Sequence, residues 1–155
     1  MAGQIRSTHV PWFVPLFNPI ARCLLAAGIP MGPNVLVTIR GRISGLPRTT
    51  PLTILEIAGR RWLMAPYGDV NWVRNLRAAG YATIMVRRRK EEVTAVELEA
   101  TVSVAFFRDI LSPRVQRTRV GAWIVRHLDQ IDLDHPEEAA LGRPVFELFP
   151  LQPQN

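Results

Sequence analysis

Val35–Ile57, VLVTIRGRISGLPRTTPLTILEI, sets a polar, glycine- and proline-containing run between two β-branched apolar segments. Val35–Arg40 is rich in β-branched residues and ends at a glycine, so it reads as a strand. Pro51–Ile57 reads as a second strand, entered directly after a proline. Between them Gly41–Leu52 carries two glycines, two prolines, two arginines and three hydroxyls. Such a connection suits an anion: glycine lets backbone N–H groups approach a ligand closely, and arginine presents a planar fork to phosphate or carboxylate.

Downstream, Ala58-Gly59-Arg60 reads as a hairpin turn into a third strand, Arg61–Ala65. Asp69 stands at the N-cap position of a helix through Ala79, with Gly80 as its C-terminal stop. That helix presents Trp72, Val73, Leu76 and Ala79 on an apolar face and Asn71, Arg74, Asn75 and Ala78 on another. Tyr81–Arg88 and Val93–Leu98 form a hairpin around Arg89–Glu92. Residues 101–112 and roughly 119–130 are helical, the latter with Val120, Trp123, Ile124 and His127 on one side. Asp132–Gly142 is a polar connection, Val145–Phe149 a last strand and Pro150–Asn155 a tail. Hairpins dominate the middle and no βαβ rhythm appears, which excludes a Rossmann sheet. The expected fold is mainly β with helices (α+β): a barrel of about six antiparallel strands under covering helices.

The 155 residues suffice for one domain with a real core. Residues 1–34 form an apolar, helical extension, 35–150 the barrel and 151–155 a tail. Asn18–Ala27 reads as a helix with Pro19 in its first turn and Gly28 as terminator. Residues 10–28 hold an apolar surface with one arginine and no acid, a composition suited to membrane-surface contact; packing across the barrel or against a dimer partner explains it as well. Pro11, Pro15, Pro19 and Arg22 argue against a spanning helix, no signal peptide is evident, and one cysteine excludes a disulfide framework. The expected compartment is the cytoplasm, with a peripheral membrane position open.

Charge is concentrated. Residues 40–90 hold eleven basic residues against Glu56 and Asp69, a net +9, whereas 91–155 are net −5. An anionic partner belongs in the middle third. Arg87-Arg88-Arg89-Lys90 is the densest basic run, but without interleaved aromatics and with Glu91-Glu92 following it reads as a solvated hairpin tip, and nucleic acid is not expected as a partner. Gly41–Gly45 is G-x-x-S-G, not a nucleophile elbow, and neither a phosphate-binding P-loop nor a dinucleotide fingerprint occurs. The three histidines lack ligand spacing, so no metal is expected. What remains is the loop after the first strand together with Met64–Leu76, where a helix N-terminus attracts anions. The two could hold the phosphate arm of a flavin-like cofactor, with Pro66 and Trp72 as an apolar wall; equally, they read as a hairpin connection and an ordinary helix start.

Thr38–Leu52 (TIRGRISGLPRTTPL), then Ala65–Gly80 (APYGDVNWVRNLRAAG), then a basic hairpin, resemble the deazaflavin (coenzyme F420)-dependent nitroreductase and quinone reductase family. The resemblance spans about Val35–Leu98, with a closing strand at Val145–Phe149. It implies a split β-barrel related to FMN-binding barrels and an F420-dependent reductase acting on a small hydrophobic acceptor: a quinone, enone, unsaturated lipid or nitro compound. It also implies a homodimer. Carried over, Gly41-Arg42-Ile43-Ser44-Gly45 grips the anionic arm, and Arg48, Thr49, Thr50, Pro51, Leu52 and Thr53 reach phosphate and ring. Met64, Ala65, Pro66 and Tyr67 border the deazaflavin, and Asn71, Trp72, Val73, Arg74 and Asn75 close the pocket. Tyr67 is the candidate proton donor. Ile43 stands where the family has lysine, Tyr67–Val70 is shorter than in nitroimidazole-reducing relatives, and Val115–Leu128 lacks their tyrosine-rich wall. The alternatives are an FMN-dependent oxidoreductase on the same barrel and a noncatalytic cofactor- or tetrapyrrole-binding module.

Overall fold

The computed structural model describes residues 14–29, 34–117, 119, 126 and 131–151, with side chains from Asn18 onward. Helix α1 (Val14–Ala26) leads into β1 (Asn34–Arg40), β2 (Pro47–Ile57), β3 (Arg60–Met64), α2 (Asn71–Ala79), β4 (Tyr81–Val86) and β5 (Arg89–Glu97). A continuous helical stretch follows: α3 (Ala100–Ala105), a π-helical turn (Phe106–Leu111) and α4 (Ser112–Gln116). The short α5 (Pro136–Ala140) precedes β6 (Val145–Pro150). All strand pairs are antiparallel, and they close as β1-β2-β3-β6-β5-β4. The expected split β-barrel with covering helices is the observed fold.

Strand alternation divides the apolar residues between two cores. Val35, Val37, Ile39, Leu63, Ala82, Ile84, Val93, Phe146 and Leu148 fill the barrel, where Val73 and Leu76 of α2 join them. Trp62 and Val145 face outward on neighbouring strands and meet Phe106, Phe107, Leu111 and Val115 from the helical stretch, with Ala139 of α5. Trp62 and Phe106 lie 5.6 Å apart, in the range of a favourable tilted aromatic pair.

Several boundaries differ from the expectation. β2 begins at Pro47 rather than Pro51, so Arg48, Thr49 and Thr50 are strand residues opposite Ile39, Thr38 and Val37. Both prolines are tolerated because this half of β2 pairs with β1 alone; β3 meets only Ile54–Ile57. The β4–β5 turn is Arg87-Arg88, both at positive φ (48° and 66°), as a two-residue hairpin of primed type requires, and Arg89–Glu92 belong to β5. The β2–β3 turn is likewise Ala58-Gly59, at φ 52° and 76°, with Arg60 already in the strand. Helix α1 starts at Val14, which places Pro19 inside it and Pro15, whose missing N–H costs nothing there, in the first turn. The polar connection contains α5, held by burial of Ala139. The helix expected over 119–130 falls mainly outside the described residues, as do Trp12 and Phe13.

Candidate functional site

The β1–β2 connection closes on itself. Gly41 N–H donates to the Leu46 carbonyl (2.9 Å), Gly45 N–H to the Gly41 carbonyl (2.9 Å) and Leu46 N–H to Ser44 Oγ (3.3 Å). A Cβ at Gly41 would stand 2.9 Å from Ser44 Oγ and 3.2 Å from the Leu46 carbonyl oxygen, while Gly45 lies at φ 69°. Both glycines therefore serve the turn rather than an approaching ligand. Arg42 N–H also stays within the protein, donating to Asn75 Oδ1 at 3.2 Å. Four amides of the loop are thus committed to partners among the described residues, and those of Ile43 and Ser44 at its tip are not.

The side chains at this loop carry uncancelled charge. Arg42 Nη1 donates to Asn75 Oδ1 (2.9 Å) and Nη2 reaches Asn71 Oδ1 at 3.5 Å, but both acceptors are neutral amides. Arg40 and Arg48, both exposed, form no ion pair with the described residues. Elsewhere in the basic third the pattern is the reverse: Arg60 pairs with Glu147 (2.7 Å), Arg61 with Glu91 (2.8 Å), Arg74 with Asp69 (3.0 Å) and Arg77 with Glu97 (2.7 Å). Opposed residues share a sheet face, so Arg48, opposite buried Ile39, projects on the barrel's inner side at its rim. Its side chain lies 3.6 Å from the Cβ position of Gly41, and the Arg40 guanidinium lies 3.5 Å from that of Gly45.

Along β2, Thr50 and Leu52 share that inner side, opposite Val37 and Val35. Thr49 and Thr53 face outward, where their hydroxyls meet Thr38 Oγ1 (2.8 Å) and Asn34 Oδ1 (2.8 Å); Pro51 lies between them. The lone-sided half of β2 is one lip of a split in the wall. β3 runs antiparallel to β2, so the chain leaving Met64 does so beside Thr53. Ala65 N–H bonds to the Pro144 carbonyl (2.9 Å) and Gly68, at φ 82°, turns the segment toward α2. Buried Arg143 fixes this second lip, donating from Nε to the Pro66 carbonyl (3.2 Å) and from Nη1 to the Ala139 carbonyl (3.0 Å).

The structure thus gathers Arg42, Ser44, Arg48, Asn71 and Asn75 around the hairpin and the start of α2, with Pro66 and Tyr67 on the opposite lip, half-buried. Asn75 is buried, and its Oδ1 accepts from both the Arg42 N–H and the Arg42 guanidinium. Others are turned away. Met64 packs with the helical layer, Ala65 and Val73 are wholly in the barrel core, and Trp72 leans on Phe146 at 6.3 Å. Ile43 is 88 % exposed, and Arg74 is engaged by Asp69. Asp69 is not the N-cap: Val70 holds that place, without a side-chain cap bond. Desolvation works to raise the Asp69 pKa, but hydrogen bonds from Arg74 and Arg77 outweigh it and hold the carboxyl below its usual value. Arg143 was missed, since no local spacing links it to a carbonyl 77 residues away.

A barrel with half of one strand paired on a single side, and three arginines without an ion pair among the described residues at its end, is the class of scaffold these observations define. The model of the F420H(2)-dependent quinone reductase family matches residues 23–126, and the chain belongs to that family. It is an F420H2-dependent reductase. No curated protein matches the chain. Among solved structures it is similar to an F420-H2 dependent reductase, at 22 % identity over 76 % of this chain and 94 % of that one (TM-score 0.49). It is also similar to general stress protein 26 of Bacillus anthracis, at 6 % identity over 84 % of this chain and 88 % of that one (TM-score 0.47).

Proposed function

We infer that the split between β2 residues 47–53 and the Met64–Val70 segment is the F420 site, and that its hydride acceptor is a hydrophobic quinone. The observation that carries this reading is the set Arg40, Arg42 and Arg48, three guanidinium groups without a carboxylate partner among the described residues, at one end of an unpaired strand edge. A phosphate-bearing, polycarboxylate cofactor fits such a set, because ionised acceptors make the stronger, shorter hydrogen bonds with arginine. When bound, the reduced deazaflavin supplies the hydride. Arg48 and Arg40 bind the anionic arm and Ser44 adds a hydroxyl. Arg42, anchored on Asn75, holds the hairpin against α2 and adds its charge. Backbone groups of Thr50–Thr53 and Ala65–Tyr67 border the ring, Arg143 positions the Pro66 carbonyl, and Tyr67 is the proton donor to the reduced acceptor. Trp72 and the barrel interior exclude water behind the site.

Fluorescence titration with F420 and with FMN, followed by anaerobic stopped-flow mixing with a quinone, an enone and a nitroaromatic, tests this. The expected result is saturable F420 binding weakened by salt and fastest oxidation by the quinone. Tighter binding of FMN would establish the alternative cofactor; faster turnover of the nitroaromatic would overturn the acceptor.

A further inference from the structure

The chain between β3 and α2, Ala65–Val70, is the second lip of the split, and two unrelated sets of bonds hold its ends. At the β3 end Ala65 and Pro66 are fastened to the segment before β6, through the Pro144 carbonyl and Arg143. Pro66 and Tyr67 are then the central residues of a turn in which Gly68 N–H reaches the Ala65 carbonyl at 3.3 Å. A bond of that length lies beyond the usual range, so the turn depends on what holds its two ends. At the α2 end the chain turns again: Val70 N–H donates to the Gly68 carbonyl (2.9 Å), a three-residue turn with Asp69 at its centre. Gly68 is buried there and Asp69 is exposed.

A short carboxylate beside a helix start ordinarily caps the free N–H groups of the first turn. Asp69 does not. Its Oδ2 accepts from Arg74 Nε (3.0 Å) and its Oδ1 from Arg77 Nη1 (3.0 Å), residues three apart and therefore on one side of α2. Arg77 extends the chain of charges, donating from Nε and Nη2 to the two oxygens of Glu97 (2.7 Å each) at the end of β5. Asn71 and Asn75, four apart, lie on a different side of the same helix and receive Arg42. Helix α2 is thus the abutment of both lips: the arginine hairpin bears on one flank, the turn at Asp69 on the other. Asp69, Arg74 and Arg77 are each about half exposed, so their pairing adds little to global stability. Its effect is local.

We propose that Asp69 is a positioning residue of the reductase: through Arg77 and Glu97 it holds the turn carrying Pro66 and Tyr67 at the split. The proposal rests on the reading of the split as the F420 site and of Tyr67 as the proton donor. Tyr67 and Gly68 lie between the two holds. With both in place, the Pro66 carbonyl and Tyr67 keep one distance from the facing half of β2. With the α2 hold released, the lip pivots on Arg143 and Tyr67 shifts, while Arg40, Arg42 and Arg48 on the other lip keep their places. Loss of the Asp69 carboxylate therefore separates chemistry from binding: the reacting groups are misplaced, and the charges that hold the anionic arm are not.

The test compares wild type with Asp69→Asn, Asp69→Glu and Glu97→Gln by amide hydrogen exchange of the cofactor-free protein, F420 titration and steady-state rates with a quinone. Asp69→Asn should exchange about fivefold faster at residues 66–70 with the strands unchanged. It should lower kcat about tenfold while the quinone KM and F420 affinity stay near wild type. Glu97→Gln, whose bonds are to Arg77 and not to the lip, should loosen the same residues, because Arg77 then loses its anchorage on β5. Asp69→Glu keeps the carboxylate and should recover most of kcat. Asp109→Asn breaks a comparable surface pair with Arg108 (2.8 Å) on the helical layer and should alter none of the three readings. Unchanged exchange at 66–70 in Asp69→Asn, loosening spread through the whole barrel with a lower urea midpoint, or a raised quinone KM with kcat intact would each overturn the proposal. Wild type that bound no F420 would strike the reading of the split instead, and exchange in the cofactor-free protein would still decide whether Asp69 holds the lip.

Discussion

Arg42 is poised between two roles, ligand and anchor, and a double-mutant cycle with Asn75 separates them. Asn75 Oδ1 accepts two bonds from one residue: the Arg42 N–H at 3.2 Å and the guanidinium at 2.9 Å. Arg42→Ala removes only the second. A charged hydrogen bond contributes about 1.5–3 kcal/mol, and the exposure of Arg42 puts this one near or below the lower end, about 1 kcal/mol. Asn75→Ala removes both bonds but substitutes a better helix former, which returns roughly 0.5 kcal/mol, for a net loss of about 1.5–2 kcal/mol. In a chain of this size that lowers Tm by roughly 4–8 °C. The coupling between the two substitutions should be about 1 kcal/mol, read from urea midpoints at constant slope. F420 affinity should fall in Asn75→Ala as well, although no charge is lost, because the hairpin carrying Arg40 and Arg48 is then untethered from α2. Additive stabilities within a few tenths of a kcal/mol would refute the anchor; unchanged F420 affinity in Asn75→Ala would refute its bearing on the site.

Arg48, exposed and unpaired with any described acid, should behave oppositely: Arg48→Ala weakens F420 binding by about 1.5–3 kcal/mol while the urea midpoint stays within error. A stability loss with intact affinity would make Arg48 structural. Ile43→Lys adds a cation at an 88 % exposed position on the same hairpin and should tighten F420 binding, mostly at low salt; equal affinity at all ionic strengths would show the position lies out of reach. On pH, the Arg61 hydrogen bond holds Glu91 below its ordinary 4.5, and Asp69 lies below 3.8 because Arg74 and Arg77 outweigh its desolvation. Depressed carboxylates stabilise the fold above their unfolded values and lose that contribution as pH falls through the lower folded ones. Urea midpoints should therefore decline as pH falls below about 5; Glu91→Gln should make the decline shallower, and an unaltered slope would deny the pair any part in it.

β1, β4 and the helix after Val70 were legible in the sequence because β-branched runs and an apolar helical face are local signals. The start of β2 was not, because Pro47 and Pro51 read as breakers. Both sit in the strand because β3 leaves that edge unpaired, so the misread residues are the ones that mark the split. The partners that build the site are invisible to any local window: Asn75 lies 33 residues from Arg42, and Arg143 lies 77 from the carbonyl it holds.

Charge shows the same division between what a sequence carries and what folding decides. The net +9 of residues 40–90 reads along the chain as one positive field. Folding brings Glu147, Glu91, Asp69 and Glu97 onto Arg60, Arg61, Arg74 and Arg77, cancelling its centre. What survives is two separate groups at opposite ends of the β1–β2 ladder. Arg40, Arg42 and Arg48 stand where the wall is split, and Arg87–Lys90 where α1 ends. Three of the four neutralising acids come from β5 and β6, beyond the basic third. The two fields therefore exist as distinct only once the barrel has closed, and a substitution such as Glu91→Gln should spread the cationic surface of the tip toward Arg61 without adding a positive charge.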